Sequence, residues 1–237
     1  MISISIIIPV FNEEKTIIKI LKKIDEIKTN TNLEIIIIND GSTDNSEGLI
    51  DQNTKYFDKV KHLKKNLGKG KAIIEGLNIS SMDYVFFQDS DLEYNPTDLI
   101  KFIKIAEKYK ADLIMGSRFI ASERSVLHFW HMLGNKFITF LFNLINNTTF
   151  TDIYCCYCFF EKKNLPVSKL KSLGWGQQAE ILTYLSNNSK KIYETSVNYD
   201  ARKYFEGKKI RYYHIIEVIY WIYFVILTKS YLYTIKN

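Results

Sequence analysis

The chain is expected to fold as an α/β domain on a Rossmann-like, mostly parallel central sheet flanked by helices, with amphipathic helices towards its C-terminus. Three observations predict this. Short β-branched runs alternate with segments of helical periodicity over the first 118 residues, the mark of successive βα units. Two of these runs, residues 4–10 and 33–38, are almost continuously apolar, as strands buried on both faces of a parallel sheet must be. The runs also stop at polar clusters, Asn39-Asp40-Gly41-Ser42 and Asp89-Ser90-Asp91, where open α/β sheets meet their ligands.

Each element follows in order. The run 4–10 is ended by Pro9 and Asn12, and residues 14–27 carry Ile17, Leu21 and Ile24 at helical spacing. The run 33–38 stops at a turn in which Ser42 or Asp44 can cap the next helix. A weaker strand near Val60 precedes Gly68-Lys69-Gly70-Lys71 and a helix through Leu77. Residues 84–87 form another apolar run, Pro96 suits the first turn of a helix to Tyr109, and residues 112–115 make a short strand ended by Gly116. Beyond Arg118 the pattern changes to aromatic, amphipathic segments at 126–145, 177–185 and 210–227.

With 237 residues, the chain accommodates one large domain, or one with a small appendage. The 46% hydrophobic and 24% charged fractions are globular, which argues against disorder. The net charge of +6 is concentrated after Ala201, where seven basic residues face two acidic ones. Such a tail favours anionic partners or is a solvated helix face. Nucleic acid is not expected as a partner, because no recognition module is present. Cys155, Cys156 and Cys158 have no second pair to complete a zinc site and read as reduced thiols of a cytoplasmic protein. Residues 1–10 lack the basic start and cleavage site of a signal peptide and read as a strand. The apolar stretch 218–227 would span about 15 Å as a helix, half of a bilayer core.

The pair Asp89 and Asp91 carries the most chemistry. Residues i and i+2 of an extended segment point to one side, so both carboxylates can face one ion. Mg²⁺ or Mn²⁺ takes such oxygen ligands and completes its shell with substrate phosphates. Asp40 can accept hydrogen bonds from a base or ribose, or act as a cap; the glycine-lysine run can bring amides toward phosphates, though it lacks the spacing of a P-loop.

Taken together, residues 7–14, EIIIINDGSTDN at 34–45, NLGKG at 66–70, DYVFFQDSD at 83–91 and Gly116-Ser117-Arg118-Phe119 resemble the family-2 glycosyltransferases. Thr151-Asp152 with Cys156-Tyr157, residues 174–181, and Tyr199-Asp200-Ala201-Arg202 with residues 206–210 are similar to the dolichol-phosphate mannose synthase branch. The resemblance implies a GT-A fold, a nucleoside-diphosphate sugar donor and an inverting transfer, often to a polyisoprenyl phosphate. It implies one domain over 1–210, with a nucleotide-sugar-binding part at 1–118 and an acceptor-side part at 119–210, followed by an amphipathic, membrane-interfacial helix at 211–237. Carried over by position, Pro9, Phe11, Glu13, Asp40, Lys69 and Asp89 would line the nucleotide, and Asp91 would be the main metal ligand. Arg118, Arg202 and Lys208 would meet phosphates, with Arg202 stabilising the leaving group. The branch usually has Lys at the place of Cys158, Phe-Glu at Gln177-Gln178, and arginines where His128 and His131 stand; Glu180 is then the matching acid of the acceptor side.

A phosphate acceptor is largely dianionic at neutral pH and needs no base, whereas a sugar hydroxyl does. Asp152 is expected to orient the acceptor, to act as that base, or merely to cap. The expected acceptor is a polyprenyl phosphate at the cytoplasmic face of a membrane; the rivals are a saccharide in a cell-surface glycan and a non-catalytic nucleotide-sugar-binding subunit. Arg211, His214 and Glu217 form one polar stripe ahead of an apolar, aromatic stretch, which suits a helix in the lipid interface, one buried in the domain, or a homo-oligomer contact.

Overall fold

The computed structural model describes residues 2–28, 31–121, 123, 125, 129–174, 176–200 and 220–221. Seven strands form one sheet: β1 (Ser3–Val10), β2 (Asn32–Asn39), β3 (Lys59–His62), β4 (Tyr84–Phe87), β5 (Leu113–Ser117), β6 (Cys158–Glu161) and β7 (Ile192–Ser196). Their order is β3-β2-β1-β4-β6-β5-β7. The helices are α1 (Ile17–Lys28), α2 (Ser46–Asp51), α3 (Lys69–Ile79), α4 (Leu99–Tyr109), α5 (Phe129–Asn146) and α6 (Gln177–Asn188).

The central pair explains the apolar runs. β1 and β2 are parallel in a register from Ser3 opposite Asn32 to Val10 opposite Asn39, and Ile6, Ile7, Ile8, Ile35, Ile36, Ile37 and Ile38 are buried. Each such side chain contributes about 1.5 to 3 kcal/mol on removal from water. β4 adds in parallel to β1 and β3 to β2. The sheet departs from the expected alternation at β6, which runs antiparallel to both β4 and β5 and separates them. β5 then pairs in parallel with β7. Both β6 and β7 come from the part beyond Arg118, where sequence periodicity indicated helices alone.

Two boundaries differ for physical reasons. β5 continues through Gly116 to Ser117; a side chain at Gly116 would lie 2.8 Å from Cys155 Sγ, so this glycine permits close packing rather than ending a strand. Helix α2 starts later than Ser42, at Ser46, whose amide donates to Asp44 Oδ1 (2.9 Å). Ser42 Oγ instead accepts from the Asn12 amide (3.0 Å). Residues 126–128 of the predicted helix 126–145 lie outside the described residues, as do Arg202, Lys208, Arg211, His214, Glu217 and, Tyr220 and Trp221 excepted, the stretch 218–227. Trp221 packs against Gly176, ahead of α6. No helix among the described residues is long and apolar enough to cross a membrane.

At the edge of the sheet where the parallel strands begin, Glu34 is buried. It accepts from Ser5 Oγ (2.5 Å), Ser81 Oγ (2.6 Å) and the Ser81 amide (2.9 Å), and pairs with Lys59 (2.6 Å). Burial works against its charge, but Lys59 and these donors outweigh it and hold the carboxyl down at about 2 against an ordinary 4.5. The unfolded carboxyl titrates higher than the folded one, so this contribution is whole above pH 4.5 and fades as pH falls towards 2. Glu34→Gln should therefore cost about 2 to 3 kcal/mol near neutral pH. Urea denaturation across a pH series should show the gap between variant and parent closing on acidification; a constant gap would refute the assignment.

Candidate active site

The carboxyl ends of β1, β2, β4 and β5 place the sequence-marked residues along one rim. After β1, Asn12 adopts a left-handed φ of 56°, which Asn tolerates because its side chain can bond locally. Here Asn12 Oδ1 accepts from the Thr43 amide (2.8 Å) and the Glu13 amide donates to Ser46 Oγ (2.9 Å). Glu13 is itself engaged by Thr16 Oγ1 (2.7 Å). The loop carrying Phe11 and Glu13, which continues from Pro9 near the end of β1, is thus clipped to the loop after β2 and to the start of α2.

Asp40 follows the last residue of β2 and is buried. Its two oxygens accept from the Leu67 and Gly68 amides, each at 2.9 Å. Burial raises its carboxyl above the ordinary 3.8, against the pull of those amides. The glycines make this approach workable. Gly41, at φ 65°, would put a side chain 2.4 Å from the Lys65 backbone, and Gly68, at φ 95°, one 2.6 Å from the Leu173 carbonyl. The Gly70 amide donates to that same carbonyl (3.0 Å). Glu180 completes the strap: it is buried, and its carboxylate accepts from the Lys171 and Ser172 amides at 2.8 to 3.1 Å. The structure thus sets Glu180 against backbone, holding the strap that covers the glycine-lysine loop.

At the end of β4, Ser90 Oγ donates to the Pro9 carbonyl (3.0 Å). Its neighbours are less buried: the Asp89 side chain is 21% exposed, and Asp91 is half-buried, with Oδ1 accepting from the Glu93 amide (3.1 Å). Lys69 Nζ lies 2.5 Å from Asp89 Oδ1 and also feels the charge of Asp91. Asp89 therefore already serves a cation, an ammonium, with the Asp91 charge acting on it as well. A hard-oxygen pair beside a positive charge fits a divalent ion of the Mg²⁺ or Mn²⁺ kind. Among the described residues no cluster of three or more metal-binding side chains occurs, so an ion held here would draw further oxygens from its substrate.

Arg118 follows β5. Its Nε and Nη2 reach the two oxygens of Asp152 at 2.7 and 2.8 Å, a bidentate fork. Asp152 is buried and accepts as well from the Arg118 amide (3.2 Å), Asn135 Nδ2 (3.1 Å) and the Tyr154 amide (3.2 Å). The guanidinium lies over the Tyr199 ring, 5.2 Å from its centroid. A base needs an accessible lone pair, and every Asp152 oxygen is committed. In this geometry Asp152 holds the Arg118 guanidinium in place. Arg118 lines a cavity of about 570 Å³ together with Leu92, Glu93, Glu123, Tyr199 and Asp200. Among these, Tyr199 Oη donates to Glu93 (2.8 Å).

The Glycosyl transferase family 2 model matches residues 5–165, more than half of the chain. The chain belongs to that family. An uncharacterized protein of Methanocaldococcus jannaschii is 30% identical over 218 residues, covering 86% of this chain and 93% of the relative. A dolichol-phosphate mannosyltransferase of Pyrococcus furiosus is 32% identical over 118 residues, 49% of this chain and 33% of its own. An undecaprenyl-phosphate 4-deoxy-4-formamido-L-arabinose transferase of Proteus mirabilis is 31% identical over 112 residues, 44% of this chain and 34% of its own. The chain thus spans about a third of each of these two named transferases. Among solved structures, glucosyl-3-phosphoglycerate synthase of Mycobacterium tuberculosis with uridine diphosphate superposes at TM-score 0.68, with 18% identity over 93% of this chain and 79% of that one. The same enzyme has been crystallised with Mn²⁺, uridine diphosphate and phosphoglyceric acid. The seven-stranded sheet with its helices is the GT-A fold.

In this family 2 member, sequence reasoning found the residues at strand ends but not the hydrogen-bonded frame behind them. Asn135, Glu194 and Asp98 carried no local signal. Glu194 accepts from the Thr151 amide (2.9 Å), and Asp98 from the Asn198 amide 100 positions away (2.6 Å). Cys158, where the resemblance expects lysine, is a buried β6 residue.

Two outcomes test this geometry. Asp152→Asn should destabilise the fold by about 3 kcal/mol and lower kcat while leaving the shape of the pH profile intact; loss of an acidic limb would restore the base role. Lys69→Met should tighten Mn²⁺ binding without nucleotide on the order of tenfold, read by electron paramagnetic resonance; unchanged affinity would mean that the ammonium and the ion do not share the acids.

Proposed function

We propose that the chain transfers a sugar, with inversion, from a nucleoside-diphosphate sugar to a polyprenyl phosphate at the cytoplasmic face of a membrane. The observation that carries this reading is the ion pair of Asp89 with Lys69 at the end of β4, with Asp91 two residues on and its charge acting on the same ammonium, on the rim that also holds Arg118. Pro9, Phe11, Glu13, Asp40, Lys69 and Asp89 line the donor, and Asp89 with Asp91 holds Mg²⁺ or Mn²⁺. When bound, that ion neutralises charge developing on the departing diphosphate. An acceptor oxygen attacks the anomeric carbon as the bond to the diphosphate breaks, and Lys69 supplies positive charge beside the acids. Arg118, joined in the proposal by Arg202 and Lys208, holds phosphate; its position is fixed in advance by Asp152, so little reorganisation accompanies charge transfer.

What the acids are doing supports this acceptor class. Asp152 is tied to Arg118 and Glu180 to the 171–172 backbone, so neither is poised to deprotonate a hydroxyl. A phosphate monoester brings its own charge and needs no such group. The names of the mannosyltransferase and of the undecaprenyl-phosphate transferase support the same class, as does the uridine diphosphate of the structural neighbour for the donor.

Labelled sugar nucleotides incubated with polyprenyl phosphate or with saccharides, with and without EDTA, test the reading. Transfer to the lipid phosphate should need the metal and fall at least about a hundredfold in Asp91→Ala. Transfer to saccharides alone would move the acceptor to a glycan, and donor binding without any transfer would make the chain a sugar-nucleotide-binding subunit.

A further inference from the structure

The run 198–200 lies as a splint across the chain that follows Asp91. Tyr94 and Tyr199 form an isolated antiparallel bridge, and the Asp200 amide donates to the Glu93 carbonyl (2.9 Å). The Asn198 amide and Nδ2 both donate to Asp98, at 2.6 and 2.8 Å, across 100 positions of sequence. Two runs tied at several points in this way open and close as one unit.

One side chain of the splint reaches two ways. Tyr199 Oη donates to Glu93 Oε2 (2.8 Å), and the Glu93 amide donates in turn to Asp91 Oδ1 (3.1 Å). The Arg118 guanidinium lies over the Tyr199 ring at 5.2 Å from its centroid, within the range of a cation–π attraction. The fork to Asp152 grips Arg118 as well, and its side chain is only 15% exposed. Tyr199 itself is half-buried on the wall of the cavity of about 570 Å³. From Asp91 through Glu93 and Tyr199 to Arg118, every step is a direct contact.

We infer that Tyr199 is a positioning residue that couples the cation site at Asp91 to the setting of Arg118. The inference rests on the reading of Asp89 and Asp91 as holders of a divalent ion. Uptake of that ion draws on the Asp91 oxygen that the Glu93 amide now uses, so the run after Asp91 must adjust. Tyr199 carries the adjustment onward through a hydrogen bond to a charged acceptor, one of the stronger kinds. Asp152 grips the guanidinium whether or not the ion is present; the Tyr199 ring supports it in a way that follows the ion. Occupancy at Asp91 and the placement of Arg118 thereby become mutually dependent, as linkage requires.

Hydrogen exchange of the full chain with and without Mn²⁺ tests this, with Mn²⁺ binding followed by electron paramagnetic resonance. In the parent, Mn²⁺ should slow exchange at 92–95 and also at 117–119 and 198–200. Tyr199→Phe keeps the ring and loses the hydroxyl; it should melt like the parent and bind Mn²⁺, yet confine the slowing to 92–95. Tyr199→Leu removes the ring too, and without Mn²⁺ should speed exchange at 117–119 by about threefold over Tyr199→Phe. An undiminished Mn²⁺ response at 117–119 in both variants, or a parent response confined to 92–95, would overturn the inference and leave the metal site standing. A parent that binds no Mn²⁺ would overturn the inference and the metal-dependent reading together. Transfer to saccharides, with the coupled response of the parent lost in Tyr199→Phe, would uphold the inference and change the acceptor alone.

Discussion

A carboxylate taken out of water must be given donors, and this constraint organises the working edge of the sheet. Asp40, Asp98, Asp152 and Glu180 are buried, and each is met by a backbone amide of another segment, distant in sequence for the three aspartates and eight or nine residues upstream for Glu180. Leaving such a group unmet would cost several kcal/mol. The loops are therefore held by acids beneath them and not by regular secondary structure. The residues that face a ligand can vary in chemistry while the frame that aims them stays fixed.

The same principle separates two kinds of acid in one site. Asp152 spends its lone pairs on Arg118, Asn135 and two amides, whereas Asp89 meets an ammonium on a flexible stem. The first pair is planar, bidentate and nearly sealed; the second is partly exposed and open to exchange for another cation. Rigid charge at Arg118 and exchangeable charge at Lys69 would suit the admission and release of the proposed sugar-nucleotide donor.

Much of this was readable from the chain because parallel strands buried on both faces leave long apolar runs, and their ends coincide with the polar motifs. The runs at 4–10 and 33–38 became β1 and β2 with little change of boundary. Strands β6 and β7 escaped because neither has a pattern of its own: Cys158–Glu161 sits in a cysteine-aromatic cluster that reads as core, and Ile192–Ser196 is half-buried throughout. Their pairing depends on partners more than forty residues away, which periodicity cannot see. Within the site, glycines and acids at turns were legible; the partners of Asp152 were not, since only the fold brings Arg118 and Asn135 to it from 34 and 17 positions away.

The antiparallel β6 carries a consequence for biogenesis. The block β3-β2-β1-β4 is complete once residue 87 has left the ribosome, but the far edge of β4 gains its neighbour only from residues 158–161. For some seventy residues of synthesis the nascent chain presents Tyr84-Val85-Phe86-Phe87 as an unpaired, aromatic ribbon, the kind of edge that recruits foreign strands. Growth of the second half therefore closes a seam as well as completing a cavity, and slow elongation across that interval would favour clumping over maturation.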